Sequence, residues 1–147
     1  MDAGGWHLIG LIAESHATAG KRLLLGLAYG ALIFASILVH YLGGAIAGWV
    51  VGTPMRRVVF TSTLAYNAYD ESREYPSRVH LIRGLGQPTA SLLLGAIMLG
   101  LYLAGNHSHL VLFLAVLNLG FFLIAMAPFP TLHGEVLLKH LKGWRRG

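Results

Sequence analysis

From Leu23 to Val51 the chain carries no formal charge, a run of about 29 residues. A helix rises about 1.5 Å per residue and the hydrocarbon core of a bilayer is about 30 Å thick, so about 20 apolar residues suffice to cross it. A segment this long can cross with tilt. Two further apolar runs follow, from about Leu85 to Ala104 and from about Leu110 to Ala127. Apart from Asp2, the charged residues gather at 14–22, 56–83 and 135–146. Only 12% of the chain is charged, about half the share usual in a soluble domain. Charge is excluded from the apolar runs because an ion at the bilayer centre is costly. The expected fold is an all-α, multi-pass membrane protein with about three transmembrane helices, at 23–51, 85–104 and 110–127.

The 147 residues suit one membrane domain over 23–147, preceded by an interfacial segment at 1–22. Trp6, Leu8, Ile9, Leu11 and Ile12 give that segment an apolar face for the membrane surface. It lacks the basic start of a cleaved signal peptide. The net charge of +5 does not point to nucleic acid, because the basic residues flank apolar runs and suit anionic lipid. Basic residues cluster in the connector 52–84 and in the tail 128–147, whereas the loop "GNHSH" at 105–109 has none. The positive-inside rule puts connector and C-terminus in the cytoplasm, and a prokaryotic plasma membrane is the expected location. Lys21 and Arg22 pull against an external N-terminus. Without cysteine there is no thiolate ligand, disulfide or cysteine nucleophile.

Within the connector, "RRVVFTSTLAYNAY" is rich in β-branched and aromatic residues. That composition predicts a short strand or hairpin at the membrane surface. Beyond it, "DESREYPSR" reads as a charged turn, with Asp70, Glu71 and Glu74 alternating with Arg73 and Arg78. Pro88 is expected near the start of the second helix, and "PFP" at 128–130 interrupts the third, with a short helix and basic tail after it.

Three segments, in order, resemble the site-2 protease family of intramembrane zinc metalloproteases. "SILVHYLGGAIAGWVVG" on the first span is similar to the family's His-Glu-x-x-His helix. "GQPTASLLLG" is similar to its Gly-Pro-x-x-Asn segment, with Gln87 inserted and Ser91 in place of the asparagine. "NLGFFLIAMAPFPTLHGEVLL" is similar to its Asn-x-x-Pro-x-Pro-x-Leu-Asp-Gly segment. The resemblance covers roughly residues 25–140 and implies a site-2-protease-like core. It puts His40 at the first zinc ligand, Tyr41 at the glutamate base, Gly44 at the second histidine and His133 at the aspartate ligand. Pro128 and Pro130 match the helix breaks, and Ala125 stands for the usual asparagine.

These departures have chemical consequences. A catalytic zinc site generally uses three protein ligands and a water, and a glutamate takes the water's proton. Glycine cannot ligate. Tyrosine, with an ordinary pKa of about 10, is a poor base at neutral pH. The expectation is a degenerate, non-proteolytic relative that binds a membrane partner as regulator or accessory subunit. An active zinc enzyme with a non-standard site at His40 and His133 is the alternative. A haem- or chlorophyll-type pigment on one imidazole is a third reading, and a structural hydrogen-bonded histidine pair is the plain one. The expected partners are the lipid bilayer and other membrane proteins, or a second copy of the chain. In the family the strand near the site takes extended substrate by β-addition. By that resemblance Arg57, Val58, Val59 and Phe60 would hold a partner segment.

Gly44, Gly48 and Gly52 recur every four residues, as do Ala96, Gly100 and Ala104, with Gly26 and Gly30 earlier. Small residues at this interval let membrane helices approach closely, so both stripes are expected packing surfaces. His107 and His109 flank a solvated turn, which also carries a glycosylation triplet at Asn106. His80 and His140 sit among basic residues, where headgroup contact is expected.

Overall fold

The computed structural model describes residues 18–60, 65–69, 72 and 74–127. It is mostly helical: α1 (Ala19–Val50), β1 (Arg57–Phe60), β2 (Ala65–Ala68), α2 (Ser77–Leu103) and α3 (His109–Met126). All three helices are long and apolar enough to cross a membrane, so the chain has the architecture of an integral, multi-pass membrane protein. Residues 1–17 of the expected interfacial segment 1–22, and the segment after Ala127 with His133, lie outside the described residues, while residues 19–22 open α1 rather than precede it.

Local chemistry sets where the helices stop. At the end of α1, Thr53 N donates to Gly48 O at 2.8 Å and Gly52 N donates to Trp49 O at 3.0 Å. Gly52 adopts φ +70. This is the glycine-terminated Schellman stop. α2 ends the same way: Asn106 N reaches Leu101 O, Gly105 N reaches Tyr102 O, and Gly105 has φ +109. α3 ends at Met126, and the following Ala127 is extended at ψ 137, the backbone favoured before a proline.

The second helix differs from expectation. It starts at Ser77, eight residues before the expected Leu85, because Arg78, His80 and Arg83 belong to its first turns. Pro88 is therefore interior to α2, not near its start, and its side chain is fully buried. Proline there leaves the Gly84 carbonyl without its helical donor.

α2 packs along both α1 and α3, whereas α1 and α3 share a shorter contact. The α1–α2 crossing is backbone on backbone. A Cβ built on Gly43 would collide with Ala90 Cβ and Gly86 O, and one on Gly86 would meet Ala47 Cβ and lie 2.6 Å from Gly43 O. The close approach thus runs through Gly43, Ala47, Gly86 and Ala90. It does not use the second expected stripe: Ala96, Gly100 and Ala104 are exposed, and Gly100 has nothing within 4 Å of an added Cβ. Gly26 and Gly30 likewise face open space.

The interior is more polar than the exterior. Its buried apolar residues are few and mostly small, among them Ala47, Ala115 and Ala125, while Ser36, Arg83, Gln87, Ser91 and Asn118 are buried with them. Leu23, Phe34, Leu93, Leu123 and Trp49 point outward, Trp49 at 74% exposure. That distribution suits lipid, where apolar side chains gain nothing by leaving the outer surface. Between α1 and α2 the antiparallel pair β1–β2 forms with Arg57 opposite Ala68 and Phe60 opposite Ala65. β2 is the strand that packs on α1, which makes β1 the outer strand.

Gly86→Ala should lower stability by about 1–3 kcal/mol, the usual cost of overpacking. Gly100→Ala should be neutral or slightly stabilising, since alanine favours helix. Thermal unfolding of both variants in detergent micelles, followed by far-UV circular dichroism, checks this contrast.

Candidate functional site

The inward face of α1 is a stripe of Ser36, His40, Gly44 and Gly48, each four residues from the last. Ser36, Gly44 and Gly48 are buried and His40 is half-buried. At this spacing successive side chains lie one above another on a helix. On α2, Gln87, Ser91 and Gly95 make a matching buried stripe.

Two hydrogen-bonded rungs join the helices deep in the bundle. Asn118 Nδ2 of α3 donates to Ser36 Oγ at 3.0 Å and to Leu114 O at 2.9 Å. His40 Nδ1 and Ser91 Oγ lie 2.8 Å apart. The His40 ring is flanked by Tyr41, edge-on at 5.7 Å between centroids, and by Phe121 at 6.1 Å. Within a bilayer such bonds satisfy groups that water cannot reach. A serine hydrogen-bonded to a histidine is also the beginning of acyl-transfer machinery. Ser91 is 0% exposed, however, so no substrate carbonyl can approach its oxygen in this arrangement.

One turn further along α1, the hairpin closes over Gly44. Tyr69 OH donates to Gly44 O at 2.9 Å. A Cβ on Gly44 would collide with Asn67 Nδ2, lie 2.8 Å from Gln87 Cγ and lie 3.3 Å from Tyr69 OH. A Cβ on Gly48 would sit 2.6 Å from Tyr69 Cε1 and 2.7 Å from Thr53 O. Gly44 and Gly48 are thus packing residues, but their partner is the hairpin rather than another helix. Gly52, expected on the same stripe, has open space around it and serves the turn.

Arg83 ties the same hairpin to α2. It is buried, its guanidinium carbon lies 4.4 Å from the Tyr69 ring centroid and 5.5 Å from that of Tyr75, and Nη2 contacts His80 Nδ1 at 3.0 Å. His80 is therefore engaged by Arg83 besides lying near the surface. Burial pushes the Tyr69 phenol above its usual range, with the Asn67 amide and the Arg83 guanidinium pulling the other way. The phenol is neutral at physiological pH and available as the donor to Gly44.

Some polar atoms beside Gly44 are unsatisfied. Asn67 Oδ1, Asn67 Nδ2 and Gln87 Nε2 are buried without a hydrogen-bond partner among the described residues. The Asn67 amide stands close enough to influence the Tyr69 phenol but falls short of hydrogen-bond geometry. An unpaired buried group of this kind costs about 1–3 kcal/mol.

As to metal, no group of three or more histidine, cysteine, aspartate or glutamate side chains converges among the described residues. His40 is the one member of the expected pair within them. The volume that a second ligand at position 44 would need is taken by Asn67 and Gln87. No three-ligand set is assembled among the described residues, and His133, the other expected ligand, lies outside them. Of the expected strand residues, Arg57 to Phe60 form β1, with Arg57 exposed and Val58 and Val59 half-buried.

Comparison with protein-family models, curated proteins and solved structures finds no match.

Several of these residues carry little sequence signal. Asn118 is the sole polar side chain between Leu110 and Ala127, which could have marked it. Ser36 and Ser91 lie four residues from His40 and Gln87, a spacing visible once His40 is taken as inward. Arg83, Asn67 and Tyr69 sit in a stretch that reads as a solvated connector, and burial there comes from tertiary packing.

A double-mutant cycle on His40→Ala and Ser91→Ala should give a coupling of about 0.6 kcal/mol and under about 2 kcal/mol, the range for interhelical hydrogen bonds in membranes. The Tyr69 contribution has a pH window. Its folded-state pKa is raised above the unfolded value of about 10. The associated stability is fully present below that pH and is lost as pH rises through the folded value. The midpoint difference between wild type and Tyr69→Phe should hold constant from pH 7 to 9 and shrink above about pH 10.

Proposed function

We propose that this chain is a non-proteolytic membrane protein of site-2-protease-like design that binds a membrane partner, as regulator or accessory subunit of a complex. The observation that carries the reading is the filled space at Gly44, where Asn67, Gln87 and Tyr69 occupy the volume of a second histidine ligand. Three further features agree with it. By the resemblance, Tyr41 would stand at the place of the proton-accepting glutamate. His40 Nδ1 is engaged by Ser91. Ser91 is itself closed to substrate. Without base and second ligand, water cannot be activated on a metal in the usual way.

Partner binding follows from what remains. The outer strand β1 keeps Arg57 exposed beside the membrane, where an extended, acidic partner segment would add to the hairpin. The connector and C-terminus face the cytoplasm of a prokaryotic plasma membrane on this reading, following the basic residues.

The test is purification from gently solubilised membranes. One membrane protein should co-purify in stoichiometric amount, remain with His40→Ala, and be reduced severalfold by Arg57→Glu. Stoichiometric zinc that disappears in His40→Ala, together with cleavage of a reconstituted membrane peptide, would overturn the reading in favour of the metalloenzyme.

A further inference from the structure

Among the described residues the hairpin is held to α1 through Tyr69 and to α2 through Arg83, and polar atoms beside these contacts are unsatisfied. Tyr69 holds Gly44 O, and Arg83 covers the Tyr69 ring. Next to that bond lie Asn67 Oδ1, Asn67 Nδ2 and Gln87 Nε2, each exposing less than 1 Å² and none with a partner among the described residues. They come from two facing elements, since Asn67 is on β2 and Gln87 on α2. Both side chains crowd the point where a Cβ on Gly44 would sit.

Buried amides without partners favour any arrangement in which they meet water. Lifting the hairpin would hydrate all three atoms at once, and among the described residues it would break the Tyr69–Gly44 hydrogen bond to α1. A two-stranded hairpin has little stability of its own in water, so its order depends on this contact. The contact also caps the inward stripe of α1: His40 lies one turn beyond Gly44, and Gln87 lies one turn from Ser91.

We propose that β1–β2 is a strap that exchanges between a docked position on Gly44 and Gly48 and an undocked position that admits water to Gln87 and toward the His40–Ser91 pair. The strap gates the polar interior from the connector side. This rests on contact geometry alone and holds whether or not the chain recruits a partner.

Hydrogen–deuterium exchange of the full-length protein in lipid nanodiscs, read by mass spectrometry on a peptide containing β2, tests it. Gln87→Met keeps the side chain's length and removes its buried donor, so it should stabilise the docked strap and slow β2 exchange about fivefold or more. Gly44→Ala should push the strap off and bring β2 to the exchange rate of an unprotected chain, with α3 protection retained as the sign of an intact bundle. Exchange unchanged or faster in Gln87→Met would mean that the amide is satisfied in the docked state, and would overturn the proposal. So would Gly44→Ala with wild-type β2 protection. If Gly44→Ala loses α3 protection as well, the Gln87→Met result decides alone. Absence of a co-purifying partner would leave all of these outcomes unchanged.

Discussion

Gly43 on α1 and Gly86 on α2 stand so close that neither has room for a methyl group. In a bilayer the lipid tails are as apolar as leucine, so burying apolar side chains supplies little force between helices. Close backbone contact and polar pairing have to supply it. The Gly43–Gly86 crossing fixes the separation of α1 and α2. At that separation His40 reaches Ser91 across one turn, and Gln87 comes up against Gly44 across another. Move the helices apart by a side chain and both contacts are lost.

The same crossing explains why the interior is polar. A tight interface between small residues leaves no pocket for leucine or phenylalanine, and these are displaced to the lipid-facing surface. Serine, asparagine and glutamine fit the remaining space, and each must then find a partner inside the bundle. Ser36 pairs with Asn118 Nδ2 and His40 with Ser91, although Asn118 Oδ1 is left without a partner among the described residues. Gln87 Nε2 and the Asn67 amide have none there either. Unsatisfied atoms lie at both ends: Asn67 and Gln87 at the hairpin end, where a small movement reaches water, and Asn118 Oδ1 beside Ser36.

How much of this was legible in the sequence depends on whether the signal was local. The absence of charge from Leu23 to Val51 suffices for the first helix, because no other structure hides so many apolar residues in so short a chain. β-Branched residues at 58–59 announce β1. The start of α2 was not legible, since Arg78, His80 and Arg83 look solvated until Tyr69 and Tyr75 are known to cover Arg83. The glycine stripes were legible in part. Positions 43 and 47 carry small residues just as 44 and 48 do, and neighbouring residues differ by about 100° around a helix. Sequence spacing alone therefore cannot say which pair meets α2 and which meets the hairpin. Gly52 continues the spacing, but its φ of +70 belongs to the Schellman stop. For the site, His40 was visible as a lone intramembrane histidine; its partner Ser91 was not, because a serine among leucines is unremarked until two helices face each other.

Gly44 links these threads. A side chain at 44 would hold the hairpin away from α1, and the seated hairpin leaves no volume for a side chain. A histidine placed at that position would not fit beside His40 as the hairpin is seated. It would first have to displace Asn67 and Tyr69, and with Tyr69 the ring over which Arg83 is buried. Each of these contacts makes glycine harder to replace at this position.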